Sequence, residues 1–370
     1  MNCRIIVGAG ATSDPIDKEG IAHLAEHMFF KTSKQHSSIQ VKEMLSRLGN
    51  SNASTSHNRT VYELDTLPAN EAKARRILTE LFEEPNPTQE ELDKEKGVIC
   101  QEISMSNNDP MSYFIHNMFE HWFGRRYHSI LGSVESVSSI TLENLRDFRA
   151  MYYQDPIMVV CGDTDETEQS IYNLGPTIVV NDPALRSMED KHIHHSSTQA
   201  GFALFYNIDD SLNEHLQDLI VNIIGDGMHS LLFRRLRDEL GLCYIAQAFT
   251  IDSPRNGRSV GIVTMLDKAN LAVAEKEIIK IIDGVIAGDI SQDLFETARS
   301  NLEFTTATMF ETSSRKSRFL NDRYFHGKPP FENDWFVQEM RTATILKVAT
   351  EARAMFGSGT PKMKLTMTND

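Results

Sequence analysis

The stretch Gly20-Ile-Ala-His23-Leu-Ala-Glu26-His27-Met-Phe-Phe constrains this chain more than any other. An α-helix turns about 100° per residue, so positions i, i+3 and i+4 share one face. A helix here points His23, Glu26 and His27 the same way and leaves Leu24, Ala25 and Met28 to pack elsewhere. Two imidazoles one turn apart can hold a divalent metal, and the carboxylate beside them can take a proton from water that the metal activates. The same residues also fit a polar surface or a satisfied core group. The chain supplies its own control in His116-Asn-Met-Phe-Glu120-His121, which has one residue more. Five helical steps set His116 and His121 roughly 140° apart, too divergent to clasp one ion. That segment reads as a packed helix carrying Phe114, Met118, Trp122 and Phe123.

A catalytic zinc needs a third protein ligand and an open fourth position. Thr88 followed by Glu91 reads as a capping box and starts a helix. Along that helix Leu92, Glu95, Ile99 and Glu102 fall on one stripe. Two carboxylates among apolar residues are costly to bury unless a cation compensates them, so Glu95 and Glu102 are candidate partners of a metal. A solvated acidic face is the competing reading.

The H-x-x-E-H helix is the inverzincin signature. Followed at some distance by glutamates seven apart and then by Asn108-Asp109-Pro110, it resembles the pitrilysin/insulysin family, in its short-chain form close to processing-peptidase-like bacterial peptidases. The resemblance covers most of the chain. It implies one Zn2+ per chain, with His23, His27 and Glu102 as ligands, Glu26 as general base and Glu95 supporting the site. It also implies that Gly49-Asn-Ser-Asn52-Ala53-Ser-Thr-Ser is an edge strand pairing with substrate. In the segment from Gly225 to Tyr244, Arg237 and Tyr244 match an arginine and a tyrosine that hold peptide carbonyls and the developing oxyanion. Two departures stand out. His23 follows only 22 residues, which predicts either a first sheet trimmed at one edge or a sequence that is a fragment, and the Phe-Lys-Gly-Thr segment is shortened to Phe30-Lys31-Thr32.

The length of 370 residues suits two domains, each with a core. The fold expected is α+β: two homologous sandwich halves, antiparallel sheets covered by helices, in a clam-like arrangement. The halves are drawn at 1–175 (catalytic, zinc-binding) and 199–370 (accessory, without metal), joined by a polar connector at 176–198. Helices beginning near Ala269 and Gln292 echo those near Asn70 and Thr88, as a duplication would require. His192, His194 and His195 fall in the connector, which reads as a solvated linker.

A formal charge of −15 opposes nucleic acid and anionic membranes and mildly favours neutral or basic peptides. Without an apolar run long enough to span a bilayer, without a signal peptide, and with four scattered cysteines, the reading is a cytoplasmic protein. The expectation is a zinc metalloendopeptidase, a hydrolase of extended peptides or unfolded polypeptides, working as a homodimer or within a heterodimer. The competing expectation is a non-catalytic peptide-binding or scaffold subunit.

Overall fold

The computed structural model describes residues 1–124, 129–154, 156–162, 189–208, 212–253, 257–325, 339–357 and 361–369. Strands β1 (Asn2–Val7), β2 (Gly49–Thr55), β3 (Thr60–Thr66) and β4 (Ile157–Cys161) form an antiparallel sheet in the order β2-β3-β1-β4. Strands β5 (Lys191–His194), β6 (Gln199–Asn207), β7 (Cys243–Ser253), β8 (Gly257–Asp267) and β9 (Met363–Thr368) form a second, in the order β5-β9-β6-β8-β7. Read from its other edge, β7-β8-β6-β9 repeats the order of the first sheet, and β5 adds one parallel strand beside β9. The expected duplication is therefore present in the topology.

Helices fall between equivalent strands in both halves. In the first, α1 (Ile21–Phe29) and α2 (Ser38–Leu48) precede β2, while α3 (Glu71–Glu83) and α4 (Gln89–Asn108) follow β3. They are continued by α5 (Pro110–Phe123), α6 (Val134–Ser139) and α7 (Leu142–Tyr152). In the second, α8 (Glu214–Gly225) precedes β7, and α9 (Leu271–Ala287), α10 (Gln292–Thr308) and α11 (Ser313–Phe325) follow β8.

The alternation of the strands explains the layering. Cys3, Ile5 and Val7 of β1 and Tyr62 and Leu64 of β3 point to the face covered by α1, α2 and α3, with α4 packed on α1. Leu24, Phe29, Leu78, Leu92 and Ile99 fill that core. Phe29 stacks on Tyr62 with centroids 3.7 Å apart. Residues of the other parity, Ile6, Val159 and Cys161, pack against Leu320 of α11. β1 is buried on both faces: Cys3, Ile5 and Val7 are apolar on the helix side, while on the other face Asn2 and Arg4 are buried beside Ile6 and paired with Asp65 and Glu63.

Two compact units result, and neither is continuous. The first holds residues 1–108, with the described residues of 126–182 and 308–331; the second holds 109–125, 183–307 and 332–370. Helix α11 thus belongs to the first unit and α5 to the second. On α5, Phe114, Met118 and Trp122 are buried as expected, while the side chain of Phe123 lies outside the described residues. Trp122 stacks on Phe205 at 4.9 Å and its indole N–H donates to Ser259. Phe114 sits where Gly201 leaves room: a Cβ there would lie 2.7 Å from the ring.

The sequence reading drew continuous halves, without this trade of one helix in each direction. Of the connector, 176–188 lie outside the described residues, but Lys191–His194 form β5 rather than linker. The edge of β9 captures them, and His192 Nδ1 lies 2.9 Å from Thr366 Oγ1. Leu232 and Leu236 are buried, and Phe233–Glu239 winds as a π-helix, with Leu240 N–H donating to Arg235 O. Among the described residues no helix is long and apolar enough to cross a membrane.

Candidate metal centre

Helix α1 is held by its apolar face and by its first turn. Ile21, Leu24, Ala25, Met28 and Phe29 are buried, so His23, Glu26 and His27 are left on the remaining face. Asp14 caps the helix from six residues upstream, accepting from Gly20 N–H at 2.6 Å and Ala22 N–H at 3.1 Å. Burial pushes its carboxyl well above the usual range, against those two bonds. Gly20, at φ 90°, and Gly132, at φ 73°, meet backbone to backbone; a Cβ on Gly132 would lie 2.3 Å from Glu19 O. Asp14 and this glycine contact fix where α1 starts, and hence where its histidines sit.

The ligand-type atoms of His23, Glu26 and His27 lie within 4.8 Å of one another. Helix α4 packs across them. Its capping box is present, with Thr88 N–H donating to Glu91 Oε2 and Glu91 N–H to Thr88 Oγ1. Its Leu92–Ile99 stripe buries Glu95 and carries Glu102 at the margin. Glu102 Oε2 lies 3.9 Å from His23 Nε2 and 3.8 Å from His27 Nε2. Ligands of a tetrahedral zinc stand roughly 3.4 Å apart, so Glu102 Oε2 is about half an ångström further from each imidazole nitrogen than that spacing.

The electrostatics fit a cation. Burial, helped by His27, lowers the pKa of His23 to about 4, so its imidazole is neutral as a ligand must be. His23 Nδ1 is buried with no hydrogen-bond partner among the described residues. His27 Nδ1 lies 3.1 Å from Glu95 Oε2, and Lys31 donates to Glu95 Oε1 at 2.6 Å. Burial alone would raise Glu95, but the bonds from Lys31 and His27 outweigh it and hold the carboxyl below its ordinary value. An ionised carboxylate only accepts, so Nδ1 of His27 carries a proton and Nε2 is the nitrogen that faces Glu102. Glu26 differs: burial raises its pKa, although Thr55 donates to its Oε2 at 2.5 Å.

Asn52 and Ala53 lie on β2, the edge of the first sheet, as expected. Register places Ala53 opposite Tyr62 on the helix-covered face and Asn52 opposite Glu63 on the other. Glu63 is engaged there by Arg4. An open cleft of about 570 Å³ runs along β2 and ends at Glu26, His27 and Glu95. The shortened loop is tied down, Thr32 donating to Glu91 Oε1 at 2.8 Å.

Arg237 and Tyr244 belong to the second unit. The guanidinium of Arg237 lies between the rings of Phe233 and Tyr244, at 4.6 and 4.4 Å, and donates to Tyr244 O at 3.4 Å. Pairing slips by one residue between Cys243 and Ile245, so Tyr244 is the extra residue of a bulge and stands 74% exposed.

Sequence reasoning missed Lys31, Thr55 and Asp14. Lys31 had a signal, lying four residues beyond His27 as His27 lies beyond His23. Thr55 and Asp14 had none, because their contacts depend on chain packing.

Residues 1–126 match the family description "Insulinase (Peptidase family M16)" and residues 180–302 match "Peptidase M16 inactive domain". A zinc protease of Rickettsia bellii, itself uncharacterised, is 26% identical over 93% of this chain and 88% of its own length. The zinc protease PqqE of Helicobacter pylori is 23% identical over 94% of this chain and 84% of its own. Among solved structures, a protease from Helicobacter pylori superposes with a TM-score of 0.86 at 21% identity, covering 99% of this chain and 93% of that one. With both domain types in their order and two sheets of one topology, the chain belongs to the M16 (insulinase, or pitrilysin-like) family of peptidases.

Proposed function

We propose that the chain is a zinc-dependent endopeptidase acting on extended peptides or unfolded polypeptides. The observation that carries this reading is the approach of His23 Nε2 and His27 Nε2 to a single oxygen of Glu102, with Glu26 beside them at the head of an open cleft. His23, His27 and Glu102 would hold the ion. When bound, zinc supplies Lewis-acid activation of water and of the scissile carbonyl near neutral pH.

The remaining work falls to the chain's own groups. Glu26, with its pKa raised toward the working range, accepts the proton from the attacking water and passes it to the leaving amine. Thr55 fixes one oxygen of Glu26 and leaves the second for the proton. Glu95 and Lys31 set the tautomer and the orientation of His27. The substrate adds to β2 as a further strand beside Asn52 and Ala53, which selects extended chains. Arg237, stacked and therefore preorganised, and Tyr244 hold substrate carbonyls and the oxyanion. The assembly in this reading is a homodimer, since one chain carries the full residue set; sedimentation tests it.

The deciding experiment is metal analysis together with digestion of an unstructured peptide, with and without chelator. The expected result is about one zinc per chain and chelator-sensitive cleavage. Glu26→Gln keeps its metal and loses cleavage; a fully active variant overturns the role of Glu26. Metal-loaded protein that binds the peptide and leaves it intact would instead make the chain a non-catalytic binding subunit.

A further inference from the structure

The cleft beside β2 has two unlike walls. One is the edge strand itself. The other is α2, on which Lys42, Leu45 and Ser46 fall at i, i+3 and i+4 and so form one stripe. Phe30 adds an apolar patch near the closed end. A peptide paired with β2 turns every second side chain to the helix-covered face, the face of Ala53. Those side chains meet the stripe of α2.

The cleft is lined by two carboxylates, Glu26 and Glu95, and two ammoniums, Lys31 and Lys42, and they are not paired one to one. Lys31 is spent on Glu95 at 2.6 Å, and Glu26 is hydrogen-bonded to Thr55 at the chemical end. Lys42 forms no ion pair or hydrogen bond among the described residues. A substrate side chain entering here passes the isobutyl group of Leu45 and reaches an ammonium with no paired carboxylate among the described residues. The chain's charge of −15 acts against acidic peptides only at a distance. At physiological salt the screening length is about 8 Å, so within the cleft the nearest groups decide.

We propose that this cleft is a subsite for an acidic side chain of the strand-bound peptide, with Lys42 as its charge partner. The inference rests on the reading that a peptide joins β2, and it inverts the preference for basic peptides that net charge alone implies.

The test uses peptides identical except for Glu, Gln, Leu or Lys, scanned through the positions flanking the cleaved bond. At one position the full-length protein cuts the Glu peptide with a kcat/KM about tenfold above the Lys peptide, with Gln between them. The preference shrinks at high salt, and Lys42→Glu inverts it. Anisotropy with the same labelled peptides on Glu26→Gln protein reads the subsite without chemistry. A binding preference for Glu that Lys42→Glu inverts supports the subsite even where no peptide is cut, and only the peptidase reading then falls. Equal preference in wild type and Lys42→Glu, with cleavage intact, overturns the subsite and spares the peptidase reading. Absence of any peptide binding overturns both.

Discussion

Replacing Glu95 by Ala separates metal affinity from folding. Glu95 touches His27 Nδ1 at 3.1 Å and Lys31 Nζ at 2.6 Å, and both its partners are largely buried, at 17% and 13% exposure. Loss of the acceptor frees the His27 ring to rotate and to place its proton on the ligating nitrogen. Removing such an outer partner typically weakens metal binding 10–100-fold, about 1.4–2.8 kcal/mol. The same substitution strands the Lys31 ammonium, at a cost to folding of about 3 kcal/mol. Competition with a zinc chelator reads the first effect and urea unfolding of the metal-free protein reads the second. The double replacement Lys31→Ala/Glu95→Ala divides them: part of the stability returns, because no charge is left unpaired, but the affinity does not. A double variant with wild-type zinc affinity, or Glu95→Ala binding zinc as tightly as wild type, refutes the idea that Glu95 orients His27.

Thr55→Val removes the hydroxyl that favours the charged form of Glu26, so burial raises that carboxyl further. Because the deprotonated form is the base, the acid limb of kcat/KM moves to higher pH; a limb that stays or moves to lower pH rejects the assignment. Gly132→Ala forces a side chain into φ 73° with its Cβ 2.3 Å from Glu19 O, backbone that cannot step aside. It destabilises the protein by about 2–3 kcal/mol in urea unfolding and weakens zinc binding through a shifted α1, and an unchanged midpoint would refute the tight contact.

What the sequence made legible follows the range of the forces involved. His23, Glu26 and His27 lie within one helical turn, so local geometry alone brings them together. The α4 stripe was equally readable, because a capping box and a 3.6-residue period are local. Which glutamate faces both imidazoles depends on how α4 crosses α1, and no periodicity records that. Asp14 acts on the helix through a turn, and the close approach of Gly20 to Gly132 joins segments more than a hundred residues apart. The trade of α5 for α11 was hidden for a related reason: both are ordinary amphipathic helices whose sheet is chosen by shape. The π-helix at Phe233–Glu239 keeps the apolar face of an α-helix, so its wider winding left no mark on the pattern.

The repeated topology offers a control inside the molecule for whether the polar cluster serves folding. Helix α8 lies between β6 and β7 as α1 lies between β1 and β2, and its Leu219, Ile220, Ile223 and Ile224 are fully buried. Matching α4 to α10 at their first residues puts Ala298 and Thr305 where Glu95 and Glu102 stand. The same architecture therefore closes without an ion when carbon replaces the polar groups. In the first half, a buried imidazole nitrogen has no partner among the described residues, a cost of about 1–3 kcal/mol, and burial raises the pKa of the Glu26 carboxyl. The triple replacement His23→Leu/Glu26→Met/His27→Leu, which keeps volume roughly constant, should then leave the metal-free protein as stable as wild type or more so, by about 1 kcal/mol or more. It should also remove the stabilisation that zinc confers on wild type. Thermal unfolding of both proteins, with and without zinc, reads both effects. A triple variant that melts well below metal-free wild type would mean the cluster is a structural element of α1 packing, and the case for a retained metal site would lose its physical basis.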